Sequence, residues 1–282
     1  MKRICLPALL LAAVLLLAAC GGKTGPAPTG APETTATEPE TEPETTTLPA
    51  DRTGEEIYQA HPELMPVDYD SPALLPLTED AGQEYLDNIT FLCDSPTYWL
   101  KLYEMLSDGW STTQVWTGPE GTMTLAYLRG FKILDPIDNV ERTIPETVEK
   151  HKPPMIVIAL GINGIAFMDQ EYFITEYSNL IEEIQAASPE TVIVLQSIYP
   201  ISPSFSGWGS ITNAKITAAN HWILRMAEKY GLKYLDTFSC LLGEDGNIIP
   251  ELVMKDGLHP NKDGLTKVLA YIRTHAYLPE EN

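Results

Sequence analysis

Metal-binding spacing is missing from this 282-residue chain: its four cysteines and five histidines form no CxxC pair and no His-rich run, so neither a metal nor a cofactor is expected. Basic residues are scarce as well. Against 39 Asp and Glu stand 18 Lys and Arg, a formal charge of −21, and such a surface repels nucleic acid and other anionic polymers. Neutral or cationic partners remain admissible. No apolar run reaches the roughly 20 residues that span a bilayer. No internal repeat is present, which excludes a solenoid or a propeller.

What is there begins with MKRICLPALLLAAVLLLAAC, a basic start, an apolar stretch and a small-residue finish, the layout of a secretory signal over residues 1–20. Leu17-Ala18-Ala19-Cys20 resembles the lipobox of bacterial lipoproteins. The resemblance implies a lipid anchor on Cys20 and a place on the outer face of the cell membrane. Residues 21–56 are rich in Pro, Thr and Glu and nearly free of large apolar side chains, so they read as a disordered tether. At full stretch such a tether spans on the order of 100 Å. The tether holds eight acids and two bases and the signal two bases, so −17 of the −21 falls on residues 57–282. That remainder is long enough for one large α/β domain, expected as a monomer.

In this body, strand-like runs alternate with helical ones, the pattern of a parallel sheet covered by helices. NITFL (Asn88 to Leu92), TQVWT (Thr113 to Thr117), MIVIAL (Met155 to Leu160), TVIVLQSI (Thr191 to Ile198) and KYLDTF (Lys233 to Phe238) are the expected strands. Helices are expected from Ser95 to about Ser107, Asp169 to Ala187, Ile211 to Tyr230 and Leu265 to His275. Residues 127–148 read as mixed loop and helix.

Ligands of an open parallel sheet bind beyond the carboxyl ends of its strands. Ser95 follows the first strand, Gly118 and Gly121 the second, Gly161 and Asn163 the third, and Asp256 and His259 lie in the loop after the last. Ser95 before Pro96 also suits a helix N-cap, and taken alone that reading is the stronger one. Asp-Ser, then Gly-x-Asn, then Asp-x-x-His, in this order from about Asn88 to Tyr277, resembles the SGNH hydrolases, the GDSL-like esterases and lipases. TQVWTGPEGTMTL, ALGINGIAFMDQEYF, DGLHPNKDG and YIRTHAY look closest to an extracytoplasmic branch of Gram-positive bacteria.

The resemblance implies a three-layer α/β/α fold, flavodoxin-like, with about five parallel strands in the order 2-1-3-4-5. It implies Ser95 as nucleophile, His259 as general base and Asp256 as the group that orients the imidazole. The oxyanion would be held by the Ser95 N–H, the N–H of Gly121, with Gly118 as runner-up, and the side-chain amide of Asn163. Each has a structural alternative, since either glycine suits a turn and Asn163 a left-handed loop position. Two positions depart from the family pattern: Cys93 replaces the glycine before Asp-Ser, and Gly164 the aspartate after Gly-x-Asn.

Cys93 and Cys240 are expected as free thiols, because the proposed strand order sets their strand ends about 14 Å apart. Trp99, Trp110, Trp116 and Trp208 fall near the proposed mouth, where they either face sugar rings or pack. Phe205 to Gly209 reads as a possible rim loop, His221 as scaffold, His61 and His151 as surface residues and His275 as a helix-end residue. The expected activity is a cell-surface serine esterase removing short acyl groups, acetyl above all, from an acylated glycan or other small ester. A glycan-binding lipoprotein on the same fold, or an O-acyltransferase using the same triad, would carry the same sequence features.

Overall fold

The computed structural model describes residues 68, 70–207 and 211–279; the signal, the tether, His61 and Trp208 lie outside these. Three runs of five residues form the centre of the sheet: β1 (Ile89–Cys93), β5 (Met155–Ala159) and β6 (Val192–Gln196). All of β1 and β5 is buried, as a parallel sheet covered on both faces requires. Two short strands, β2 (Val115–Trp116) and β7 (Lys233–Leu235), flank them, and all pairings are parallel in the order β2-β1-β5-β6-β7. Counting only the strands of this sheet, the order is the expected 2-1-3-4-5. An antiparallel hairpin, β3 (Lys132–Leu134) with β4 (Glu141–Thr143), stands apart from it.

Side-chain alternation divides each strand between two cores. Leu92, Ile156, Ile158, Ile193, Leu195 and Tyr234 pack with α3 (Ile144–His151), α4 (Gln170–Ala187) and α5 (Asn213–Tyr230). Ile89, Phe91, Val157, Val194 and Leu235 face the opposite way, onto α1 (Gly82–Asp87), α2 (Ser95–Leu102), α6 (Thr237–Leu241) and α7 (Lys262–Thr274). The result is three layers, helix on sheet on helix.

Several expectations are corrected. KYLDTF is strand only to Leu235; α6 starts at Thr237, with the Ser197 hydroxyl accepting the Phe238 N–H at 2.7 Å. Cys240 therefore sits on a helix rather than at a strand end, and it shares an apolar core with Cys93; both are buried and neither is in a disulfide. The helix from Ser95 stops at Leu102, because Glu104 and Asp108 both take positive φ and turn the chain back. His151 is no plain surface residue. Its Nε2 lies 2.6 Å from the fully buried Asp135 Oδ2, and its ring meets the edge of Trp116. Trp116 is itself 1% exposed and donates to the Thr113 carbonyl, so it is core and cannot face a sugar at the mouth.

Candidate active site

Ser95 is the first residue of α2, directly after the apolar strand β1. Asp94 at the N-cap has an extended backbone, and Pro96 in the first turn fits there because it has no N–H to lose. The Asp94 side chain makes no capping bond to α2. Instead its Oδ2 accepts the Gly161 N–H at 3.1 Å, tying the end of β1 to the turn that carries Asn163. Burial pushes this carboxyl up to about 7, against the pull of the Gly161 and Ile162 N–H groups.

His259 reaches the same place from the far end of the chain. Asp256 folds its loop: Oδ1 accepts the backbone N–H groups of Leu258 (2.9 Å) and His259 (3.1 Å), and Gly257 between them takes φ +74°, open to glycine without strain. Oδ2 of the same carboxylate lies 2.6 Å from His259 Nδ1, and His259 Nε2 lies 3.0 Å from Ser95 Oγ. Burial raises the Asp256 carboxyl, but the bonds from the His259 ring and the two N–H groups outweigh it and leave the group below its ordinary value. An ionised carboxylate can only accept, so Nδ1 carries the ring proton and Nε2 presents its lone pair to the serine. The Trp99 ring lies 6.0 Å from the imidazole at 56°, walling one side.

The two loops opposite are joined to each other. Asn163 Nδ2 donates to Thr122 Oγ1 and to the Met123 carbonyl, each at 3.0 Å, so both of its amide hydrogens are engaged. The Gly121 N–H closes a turn onto the Gly118 carbonyl at 2.9 Å. Gly121 takes φ +72°, and a Cβ there would stand 2.2 Å from the Tyr98 ring; only glycine lets this loop lie against α2. The sequence-expected residues thus fall into two groups. Ser95, His259 and Asp256 are in direct contact, whereas Asn163 bonds across to the Gly121 loop and the Gly121 N–H bonds within its own.

At the departures from the family pattern, Cys93 is wholly buried in the apolar core, and the Gly164 N–H donates to the Gly161 carbonyl at 2.9 Å. Trp110 is exposed, with the Lys101 ammonium 6.0 Å above its ring. Residues 202–205 run beside the histidine loop, with the Ser202 N–H donating to the Gly257 carbonyl at 2.8 Å. Thr122, Tyr98 and the buried carboxyl of Asp94 were not singled out from sequence. For Asp94 a signal exists, namely an acid placed directly after a wholly apolar strand. Among the described residues no cluster of His, Cys, Asp and Glu could hold a metal ion.

Comparison with known proteins follows the same lines. The model of the GDSL-like lipase/acylhydrolase family matches residues 111–266, just over half of the chain, a span that holds Asn163, Asp256 and His259 and begins after Ser95. No curated protein matches the chain. Among solved structures, one assigned provisionally as a platelet activating factor from Streptococcus pneumonia is 18% identical, with 79% of this chain and 92% of that chain covered and a TM-score of 0.52. A GDSL-like lipase from Bacteroides thetaiotaomicron is 17% identical over 78% of this chain and 97% of its own, with a TM-score of 0.47. A carbohydrate esterase family 3 protein from Talaromyces cellulolyticus is 17% identical over 66% and 93%, with a TM-score of 0.41. At such identities the likeness of the first bears on the fold alone. With the parallel five-stranded sheet and a family match across the three loops that carry Gly121, Asn163 and His259, the chain belongs to the GDSL-like lipase/acylhydrolase family.

Proposed function

We propose that this protein is a serine esterase that hydrolyses short acyl esters, acetyl above all, on a carbohydrate at the outer face of a bacterial membrane. One observation carries the chemistry: the unbroken line from Ser95 Oγ through the His259 ring to the Asp256 carboxylate, at 3.0 and 2.6 Å. In acylation, Oγ bonds to the ester carbonyl carbon as its proton passes to Nε2. Collapse of the tetrahedral intermediate breaks the bond to the alcohol oxygen, which leaves with the proton from Nε2. Water then takes the place of the alcohol, attacks the acyl-enzyme with the same proton transfers, and releases the acid and a free Ser95. Asp256 stays ionised and stabilises the imidazolium.

The oxyanion needs donors, and the Ser95 N–H at the start of α2 is one that the helix itself does not use. Asn163 joins it by exchanging its bond to the Thr122 hydroxyl for the oxyanion, while the Gly121 N–H must be shared with the Gly118 carbonyl. Support for a short acyl group is the sequence past residue 56, which has no extended apolar segment to serve as a lid over a long alkyl chain. Support for an extracytoplasmic glycan is the signal, the lipobox with its anchor Cys20, the tether of residues 21–56 and a domain whose negative charge disfavours anionic polymers.

A second reading, a glycan-binding protein with little or no turnover, is favoured by the engaged amide of Asn163. The two are separated by hydrolysis of p-nitrophenyl acetate and of longer-chain esters, with Ser95→Ala alongside. The esterase reading expects turnover that falls with chain length and is lost in the variant. Turnover equal in wild type and variant would sink the mechanism, and glycan binding without any turnover would favour the second reading.

A further inference from the structure

Of the tryptophans near the proposed mouth, Trp116 is core and Trp99 lies against the histidine. Another pair of aromatic rings is presented to solvent by the site's own loops. Tyr127 is 67% and Phe167 55% exposed, their centroids are 6.4 Å apart and their planes 28° from parallel. Tyr127 lies four residues beyond Met123 and Phe167 four beyond Asn163, and Met123 and Asn163 are hydrogen-bonded to each other. The rings therefore sit on the same joined loops that border Ser95. Buried neighbours anchor the backbone that carries them: Leu125 and Met123 in one turn, Ile165 and Met168 in the other, with the Tyr172 hydroxyl donating to the Ala126 carbonyl at 3.2 Å. Exposing two large rings on turns pinned by buried neighbours gives folding nothing, yet it prepays the ordering cost of binding.

We propose that Tyr127 and Phe167 form a stacking subsite for a pyranose residue of an uncharged glycan chain, next to the residue whose ester is cleaved; this rests on the carbohydrate reading given above. A pyranose offers an apolar C–H face to aromatic rings and a rim of hydroxyls to polar groups. Both are present here. Phe167 also lines a cleft of about 280 Å³, with Met168 and Trp222 among its apolar lining and Asp169 and Lys215 among its polar lining. That volume is close to the lower end, roughly 300 Å³, of small-molecule sites, so it suits a single sugar ring. The excess of acidic residues on the domain disfavours a uronic acid or phosphate-bearing chain at this place.

The test uses the whole protein and substitutions at two exposed side chains that touch neither Ser95 nor His259. Tyr127→Ala with Phe167→Ala is expected to lower kcat/KM on acetylated xylan about tenfold, through KM, while p-nitrophenyl acetate turnover stays unchanged. In a Ser95→Ala background, N-acetylchitohexaose and cellohexaose serve as uncleavable probes in titration calorimetry, and loss of the rings is expected to weaken binding of at least one by about tenfold. Ester hydrolysis with polymer kinetics and oligosaccharide binding indifferent to the rings overturns the subsite and leaves the esterase intact. Ring-dependent binding in a protein that turns over no ester overturns the esterase and keeps the subsite. Equal loss on polymer and on p-nitrophenyl acetate would mean that the rings only brace the loops, and would also overturn it.

Discussion

Asp256 holds two structures at once, because one oxygen folds the loop through two N–H groups while the other orients the imidazole. Its two obvious replacements should therefore differ. Asp256→Asn keeps an acceptor for the turn but offers an amide hydrogen to Nδ1, which favours the wrong tautomer; kcat for ester hydrolysis should drop by about 10⁴-fold, as in other triads, with little change in melting temperature. Asp256→Ala should lose both the rate and, at about 1 kcal/mol per lost bond, several degrees of melting temperature. Calorimetry beside kinetics separates them. The other acid of the site, Asp94, carries the opposite sign. Its folded value of about 7 lies above the 3.8 of a free carboxyl, so between these values the folded protein binds more protons than the unfolded chain. Its contribution to stability is therefore greatest below pH 4 and falls as pH rises through 7. Asp94→Asn keeps an oxygen for the Gly161 N–H and cannot ionise. The variant's melting temperature relative to wild type should be higher at pH 8 than at pH 5; a difference independent of pH would show that Asp94 does not titrate there.

At the scale of elements, the question is how two joined loops can serve an oxyanion. If Asn163 exchanges Thr122 for the oxyanion, then Thr122→Val, which removes that acceptor, should leave kcat within about threefold or raise it, whereas Asn163→Ala should lose about 10²–10³-fold. A large loss in both variants would mean that the bond between the loops, and not its exchange, supports turnover. Gly121→Ala places a methyl on the Tyr98 ring at a left-handed backbone position and should cost about 1–3 kcal/mol in urea unfolding, with activity falling as the loop leaves α2. The positions of Ser95 and Asn163 were legible because each directly follows a β-rich apolar run, β1 and β5, whereas Gly121 follows the two-residue β2 and Asp256 and His259 lie well beyond β7. The bonds that join the loops were not legible, since the meeting of Asn163 with Thr122 and Met123 depends on how two distant turns dock. The hairpin β3–β4 was missed for another reason: it is short, with both flanking residues of β3 exposed, so no period-2 signal builds up. Its continuation into α3 carries a capping signal that the reading of residues 127–148 as mixed loop and helix did not resolve. Thr143 and Glu146 form a capping box, the Glu146 carboxylate accepting the Thr143 N–H at 2.9 Å, and Pro145 stands in the first turn.

On the scale of the whole molecule, export as proposed above would put two cysteines that are in no disulfide under oxidising conditions, and the fold would have to protect them. Cys93 is at 0% exposure on a central strand and Cys240 at 6% on α6, both in the core layer between the sheet and helices α1, α2, α6 and α7. Burial also pushes the Cys93 thiol well up, with the Asp94 carboxylate adding to the shift, so little of the reactive thiolate exists even when the core opens slightly. A reagent reaches Cys93 only when β1 leaves the sheet, and since β1 is bonded to both β2 and β5, that amounts to unfolding the domain. A chain beginning at residue 57 carries these two thiols alone. In native buffer it should leave a disulfide reagent such as dithionitrobenzoate unreacted for hours, and in denaturant it should titrate two equivalents at once. The rate at intermediate urea should then follow the global unfolding constant, so that thiol reactivity and circular dichroism give the same midpoint. Fast labelling of one thiol in native buffer would place Cys240 on a helix that opens independently of the sheet. A disulfide-linked peptide from unreduced protein would instead bring residues 93 and 240 together within the core.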